Sequence, residues 1–182
     1  MDSQLLVASE YVVEMDYGQF SISNGLDDDE PMQLLDEAMR NPPSASNGRT
    51  VVVLSPHQNN FATHFDIEIW SGEAPSDRDL WEQVSQERLS VGSRATIYLD
   101  SPTTNGTAAS IGTGNYVVEI SGRGFVNYGW PGSTQPGDSW RLRFWPDSGQ
   151  QLRAPSFWMM PGYGSPWIQL SADGTANDRA SS

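Results

Sequence analysis

The stretch Phe61–Trp70 constrains the fold more than any other part of this chain. Phe65, Ile67 and Ile69 fall on one side of it, and His64, Asp66, Glu68 and Trp70 on the other. Successive side chains of a strand point to opposite faces, so this period of two predicts a strand with one face in a core and the other toward water. The pattern recurs. Residues 140–145 set Leu142 and Phe144 against Arg141, Arg143 and Trp145, and residues 116–121 place Tyr116, Val118 and Ile120 inward. Residues 20–23 alternate as well, and 11–15, 51–54 and 96–99 are rich in β-forming residues. Turn signals separate these runs: Tyr17-Gly18, residues 56–60, Asp100-Ser101-Pro102, and a Gly/Pro-rich stretch over 122–137. Many short strands punctuated in this way predict an all-β, mainly antiparallel fold, a β-sandwich. Residues 81–91 are expected to pair back onto the Phe61–Trp70 strand.

One segment breaks the pattern. Met32, Leu34, Leu35 and Met39 recur at helical spacing, Pro31 suits a first turn, Asp29 suits an N-cap, and Asn41-Pro42-Pro43 stops the run. One short helix is therefore expected over 31–40. Residues 44–48 read as a flexible connector and 105–114 as a small-residue loop. At 182 residues there is room for one ordinary domain. An acidic sandwich domain is expected over 1–146, followed by an aromatic, Pro/Gly-rich tail over 147–182 whose end has the composition of a disordered segment. Residues 157–163 are too apolar to be left in water, and are expected to dock on the domain or on a partner.

The net charge is −13, and it is unevenly placed. Ten acids and no base precede Arg40. Such a field repels nucleic acid and anionic membrane and attracts basic proteins. Within it, Asp27, Asp28, Asp29, Glu30, Asp36 and Glu37 form the densest group and are the candidate partner-binding residues. All ten basic residues are arginine. The absence of cysteine excludes a disulfide framework and a thiolate nucleophile. No apolar run reaches transmembrane length, and the polar, acidic opening lacks the pattern of a secretory signal, so a cytoplasmic location is expected.

Signals for chemistry are weak. Alternate residues on a strand are roughly 7 Å apart, too far for His64, Asp66 and Glu68 to share one ion. The acidic run at 27–30 lacks the spacing of a calcium loop. There is no nucleophile elbow and no phosphate loop. The chain reads as a non-enzymatic binding module with no cofactor and no metal. Its seven tryptophans leave open a carbohydrate-binding sandwich using Trp70 or Trp130, and a structural or scaffold role is the other alternative.

Four stretches occur in a recurring order: Met15-Asp16-Tyr17-Gly18-Gln19-Phe20, Phe65-Asp66-Ile67-Glu68-Ile69-Trp70, Gly114-Asn115-Tyr116-Val117-Val118-Glu119-Ile120 and Trp140-Arg141-Leu142-Arg143-Phe144-Trp145-Pro146. Over roughly residues 11–146 this order resembles the competence protein J-like group, and a large set of actinobacterial proteins of unassigned function. The group's type member is an inhibitor of a DNA-entry nuclease. The resemblance thus implies an inhibitor or immunity protein whose partner is a basic protein such as a nuclease or toxin. That implication agrees with the charge, because a nuclease holds phosphates in a basic cleft that an acidic protein can occupy.

Overall fold

The computed structural model describes residues 3–25, 31–56, 61–125 and 138–158. Within these residues, ten strands form two five-stranded sheets. The first sheet carries β1 (Leu5–Met15), β5 (Phe61–Trp70), β10 (Ser139–Pro146), β9 (Gly114–Arg123) and β6 (Gln83–Val91), in that spatial order. The second carries β3 (Ser44–Ser46), β4 (Thr50–Leu54), β2 (Gln19–Ser23), β7 (Thr96–Asp100) and β8 (Thr107–Ser110). Every pairing is antiparallel except β5 with β10. The β-sandwich expected from the alternation is the fold observed.

The core lies between the sheets. Phe65, Ile67, Val118, Ile120, Trp140, Leu142 and Phe144 point inward from the first sheet, and Phe20, Ile22, Val51, Val53, Ile97 and Leu99 from the second. Phe20 sits at its centre, edge-on to Phe65 at 5.1 Å and to Trp140 at 5.0 Å between ring centroids. Edge-to-face contact sets the positive rim of one ring against the negative face of another. Trp140 needs a side-chain-free neighbour, and Gly122 opposite it provides one. A Cβ on Gly122 would fall 2.6 Å from the Phe125 ring and 2.8 Å from the Trp140 ring.

The helix α1 (Pro31–Arg40) has the expected bounds. It buries Leu34 and Ala38 against Ala45, Val52 and Leu54 on the outer face of the second sheet. Three local expectations fail. Residues 44–46 form β3, and 107–110 form β8, where the composition predicts a connector and a loop. Ser44–Ser46 and Thr107–Ser110 lack bulky side chains, so their pairing comes from backbone hydrogen bonds to β4 and β7 that composition does not advertise. β6 pairs with β9 and not with β5, whose two edges are taken by β1 and β10.

A third layer covers the outer face of the first sheet at β9, β10 and β6. Val117 and Trp145 are buried there under Ala74 and Leu152. The segment after β10 crosses this face through Leu152 and reaches the free edge of β6, where Val84 and Ser156 exchange backbone hydrogen bonds of 3.0 and 2.9 Å; Trp158 beyond it packs on Phe125 of the inter-sheet core. β9 and β10 are thus buried on both faces over much of their length, so Val117, Glu119 and Arg143 are as enclosed as their inward neighbours.

Candidate functional site

The outer face of the first sheet divides into two halves of opposite electrostatic character. In the covered half, arginines and acids are paired. Arg143 on β10 is 3 % exposed and bonds Glu119 on β9, also 3 % exposed. It also reaches Asp77 at 2.9 Å and the Pro75 carbonyl at 2.8 Å. Arg141 grips Asp77 through two bonds of 2.9 and 2.7 Å. Gln86 donates to the other oxygen of Glu119 at 3.0 Å. Burial alone would raise the Asp77 carboxyl. The Arg141 hydrogen bonds and the positive charges of Arg143 and Arg141 outweigh it, and hold the group below its usual range. Trp81 lies between two guanidiniums, Arg123 and Arg141, each 4.5 Å from its ring centroid. These contacts tie the loop around residues 75–81 to β9 and β10.

In the open half, acids stand without partners. On β1, Ala8, Glu10, Val12 and Glu14 point outward and are exposed. Their cross-strand neighbours on β5 are Glu68, Asp66, His64 and Ala62. Glu10 therefore lies directly opposite Asp66, an arrangement that is unfavourable for like charges. The next strand could have relieved it, since Arg141 neighbours Asp66 and Arg143 neighbours Glu68 on β10. Both guanidiniums turn instead to Asp77 and Glu119. Among the described residues, the carboxylates of Glu10, Glu14 and Asp66 make no ion pair or hydrogen bond. Glu68 accepts only the indole N–H of Trp70, at 2.7 Å. A shallow depression of about 390 Å³ lies between the two strands, lined by Ala8, Ser9, Glu10, Asp66, Ile67 and Glu68.

The acids singled out in the sequence lie elsewhere. Asp27, Asp28, Asp29 and Glu30 are outside the described residues. Asp36 and Glu37 are exposed on α1, over β3 and β4. Because β1 lies over β7 and β8 while β6 lies over β3 and β4, the helix acids and the β1–β5 acids sit at diagonally opposite corners of the sandwich. One compact partner surface cannot cover both. The β1–β5 stripe was missed because its acids are spread over residues 10–68 and converge only through strand pairing. The available signal was the acidic outward face of the Phe61–Trp70 alternation.

Neither alternative platform is prominent. Trp130 lies outside the described residues, and Trp70 packs partly buried against the Ala74, Val117 and Trp145 cluster. No group of three or more His, Cys, Asp or Glu side chains is arranged to hold a metal ion among the described residues. Among them, too, no helix is long and apolar enough to cross a membrane.

The sandwich can be compared with solved structures. ComJ from Bacillus subtilis, described as an inhibitor of the DNA-degrading activity of NucA, matches with a TM-score of 0.56. The match covers 81 % of this chain and 100 % of ComJ, at 12 % sequence identity. The fold is ComJ-like. A second structure, described as crocagin biosynthetic gene J, matches with a TM-score of 0.53 over 81 % of this chain and 99 % of that one, at 9 % identity. No family model matches the chain, and no curated protein is similar to it in sequence.

The ComJ-like fold gives the Met15-Asp16-Tyr17-Gly18-Gln19-Phe20 stretch a structural meaning. It carries the chain from the first sheet to the second. Asp16 is 1 % exposed and accepts from Ser101 Oγ at 2.9 Å, from the Thr103 N–H at 3.2 Å, and from the Thr103 hydroxyl. Tyr17 and Gly18 both adopt positive φ, 52° and 66°. Phe20 then enters the core.

Proposed function

We propose that this protein is a non-enzymatic inhibitor or immunity-type module that binds a basic protein such as a nuclease. The observation that carries the reading is the unpaired acidic stripe Glu10, Glu14, Asp66 and Glu68, whose neighbouring arginines are committed elsewhere. A sheet that leaves opposed carboxylates unneutralised is suited to a partner that brings the positive charge. The ComJ-like fold supports the inhibitor class, since ComJ inhibits a nuclease. The acids of the first forty residues, Asp27, Asp28, Asp29, Glu30, Asp36 and Glu37, belong to the same proposal as a second contact or as a steering field. Opposite charges speed encounter more than they deepen affinity.

The test is recovery of the tagged protein from its own cells at low and high salt, with bound proteins named by mass spectrometry. A basic nuclease or toxin that is lost at high salt, and is inhibited when purified, is the expected result. Recovery of the protein alone overturns the proposal. Two variants then place the contact. Glu10→Gln with Glu14→Gln, Asp66→Asn and Glu68→Gln is expected to abolish capture. Asn/Gln replacement of the six residues over 27–37 is expected to slow association and flatten its salt dependence.

A further inference from the structure

We propose that the open edge of β1, from Ala8 to Val12, is a strand-acceptor site that takes an extended, basic segment of the protein partner as an added strand. The inference rests on the inhibitor reading and specifies how the partner is held.

The two sides of the sandwich are closed differently. On the β3–β6 side, hydrogen bonds join the sheets. Ser90 N–H donates to the Gly48 carbonyl at 2.8 Å, Ser46 Oγ to the Arg88 carbonyl at 2.8 Å, and Ser44 Oγ to Glu87 at 2.7 Å. On the other side β1 pairs with β5 alone among the described residues. Among the described residues its far edge is engaged at one end, where Thr104 Oγ1 from the turn after β7 donates to the Glu14 carbonyl at 2.9 Å. In a regular strand the N–H and C=O of alternate residues point to the same edge. Val12, Glu10 and Ala8 therefore direct theirs the way Glu14 does, and all three residues are exposed.

An edge this long, 11 residues, is a standing template for pairing. β1 has no proline and no lysine. A register irregularity between Leu5 and Val7 and the two glutamates are its protections. Among the described residues it also holds four of the seven exposed large hydrophobic ones, Leu5, Leu6, Val7 and Val12, so apolar surface concentrates on this strand.

Charge selects the occupant. An added strand would place every second side chain on the outer face, beside Glu10 and the Asp66 and Glu68 stripe, where arginine or lysine is favoured. Its alternate side chains would lie beside Ser9 and Tyr11, where apolar groups fit. A second copy of this chain suits the edge poorly. Two β1 edges meeting antiparallel would gather both copies of Glu10 and Glu14 on one face, with Glu10 directly opposite Glu10 in the register centred on Glu10 and opposite Glu14 in the register centred on Val12.

The probe is a labelled peptide of about ten residues alternating arginine and valine. It is compared by anisotropy with the same peptide N-methylated on alternate residues, which keeps charge but cannot pair. The plain peptide is expected to bind and to protect the Ala8, Glu10 and Val12 amides from exchange, with N-methylation weakening binding about tenfold or more. Ala8→Pro is expected to fold, because an outward N–H at an edge makes no internal bond, and to lose binding to the same extent. Glu10→Arg, which leaves the backbone intact, is expected to weaken it too. Equal binding of both peptides, or no binding, overturns the proposal. A protein dimer with those amides protected overturns the choice of occupant. If Ala8→Pro still inhibits the captured nuclease at full strength, the edge inference falls and the inhibitor reading stands. If the peptide binds as expected but no nuclease is captured, the reverse holds.

Discussion

Arg143 and Glu119 form the most deeply buried ion pair described in this fold, and such pairs are costly to break singly. Removing one partner leaves an uncompensated charge in a poorly solvated site. Arg143→Met is expected to destabilise the protein by about 3–5 kcal/mol in urea unfolding. The double variant with Glu119→Gln is expected to recover part of that loss. Additive losses would show that the two residues act independently. Glu87 makes a pH-dependent case. Its carboxyl is pushed above the usual range by burial, helped by the nearby Glu37, and opposed by the Ser44 hydroxyl and Arg88. Between the ordinary value and the raised folded value, the folded state therefore holds a proton on Glu87 that the unfolded state has released. Stability from this group is present below its ordinary value, about 4.5, and is lost as pH rises through the folded value. Glu87→Gln is expected to raise stability at about pH 7 and leave it nearly unchanged at about pH 4, as read by chemical unfolding at both. A gain of equal size at both would contradict the account. None of these pairings was legible in the sequence. The alternation sets Arg141 and Arg143 opposite Leu142 and Phe144, and a period of two cannot distinguish a face in water from one covered by distant chain.

Between residues and sheets, the corner joining β1 to β2 is the element on which the fold turns. Its position was legible: Tyr17-Gly18 marked the kink, and Phe20 with Ile22 marked the strand beyond it. What holds it was not, because Ser101 and Thr103 lie more than eighty residues away. Asp16 accepts three hydrogen bonds from those two residues, and the Ser101 hydroxyl also faces the Gln19 carbonyl at 2.6 Å. Asp16→Ala removes the acceptor and strands buried donors. It is expected to cost about 2–3 kcal/mol, with exchange protection lost first at the β2 and β7 amides. A cost within about 0.5 kcal/mol, typical of a surface site, would refute the role given to Asp16. Elements with bulky, alternating side chains were read correctly, as β5 and α1 show. Those built from Ser, Ala and Thr, β3 and β8, were not, since their stability lies in whom they pair with. The same applies to β6, whose partner β9 is set by topology.

For the molecule as a whole, residues 147–158 extend the folded unit beyond β10. Arg88 pairs with Asp147 at 3.0 Å and donates to the Gln150 carbonyl at 2.7 Å. Arg78 donates to the Ala154 carbonyl at 2.9 Å, and the Arg153 N–H donates to Gln86 at 2.8 Å. Leu152 covers Trp145 and Val117. Gln86 in turn bonds Glu119, so the segment abuts the group that neutralises Arg143. Asp77 and Glu119 together keep Arg141 and Arg143 away from Asp66 and Glu68, which is what leaves the acidic stripe open. Comparing a chain ending at Trp158 with one ending at Pro146 tests this linkage. The shorter chain is expected to be less stable by about 4 kcal/mol, from several hydrogen bonds of about 1 kcal/mol each and one partly buried leucine of about 1. Its tryptophan emission is expected to shift red as Trp145 meets water. If the two chains unfold at the same urea concentration, residues 147–158 lie against the sheet without holding it, and the arginines of β10 keep their partners unaided.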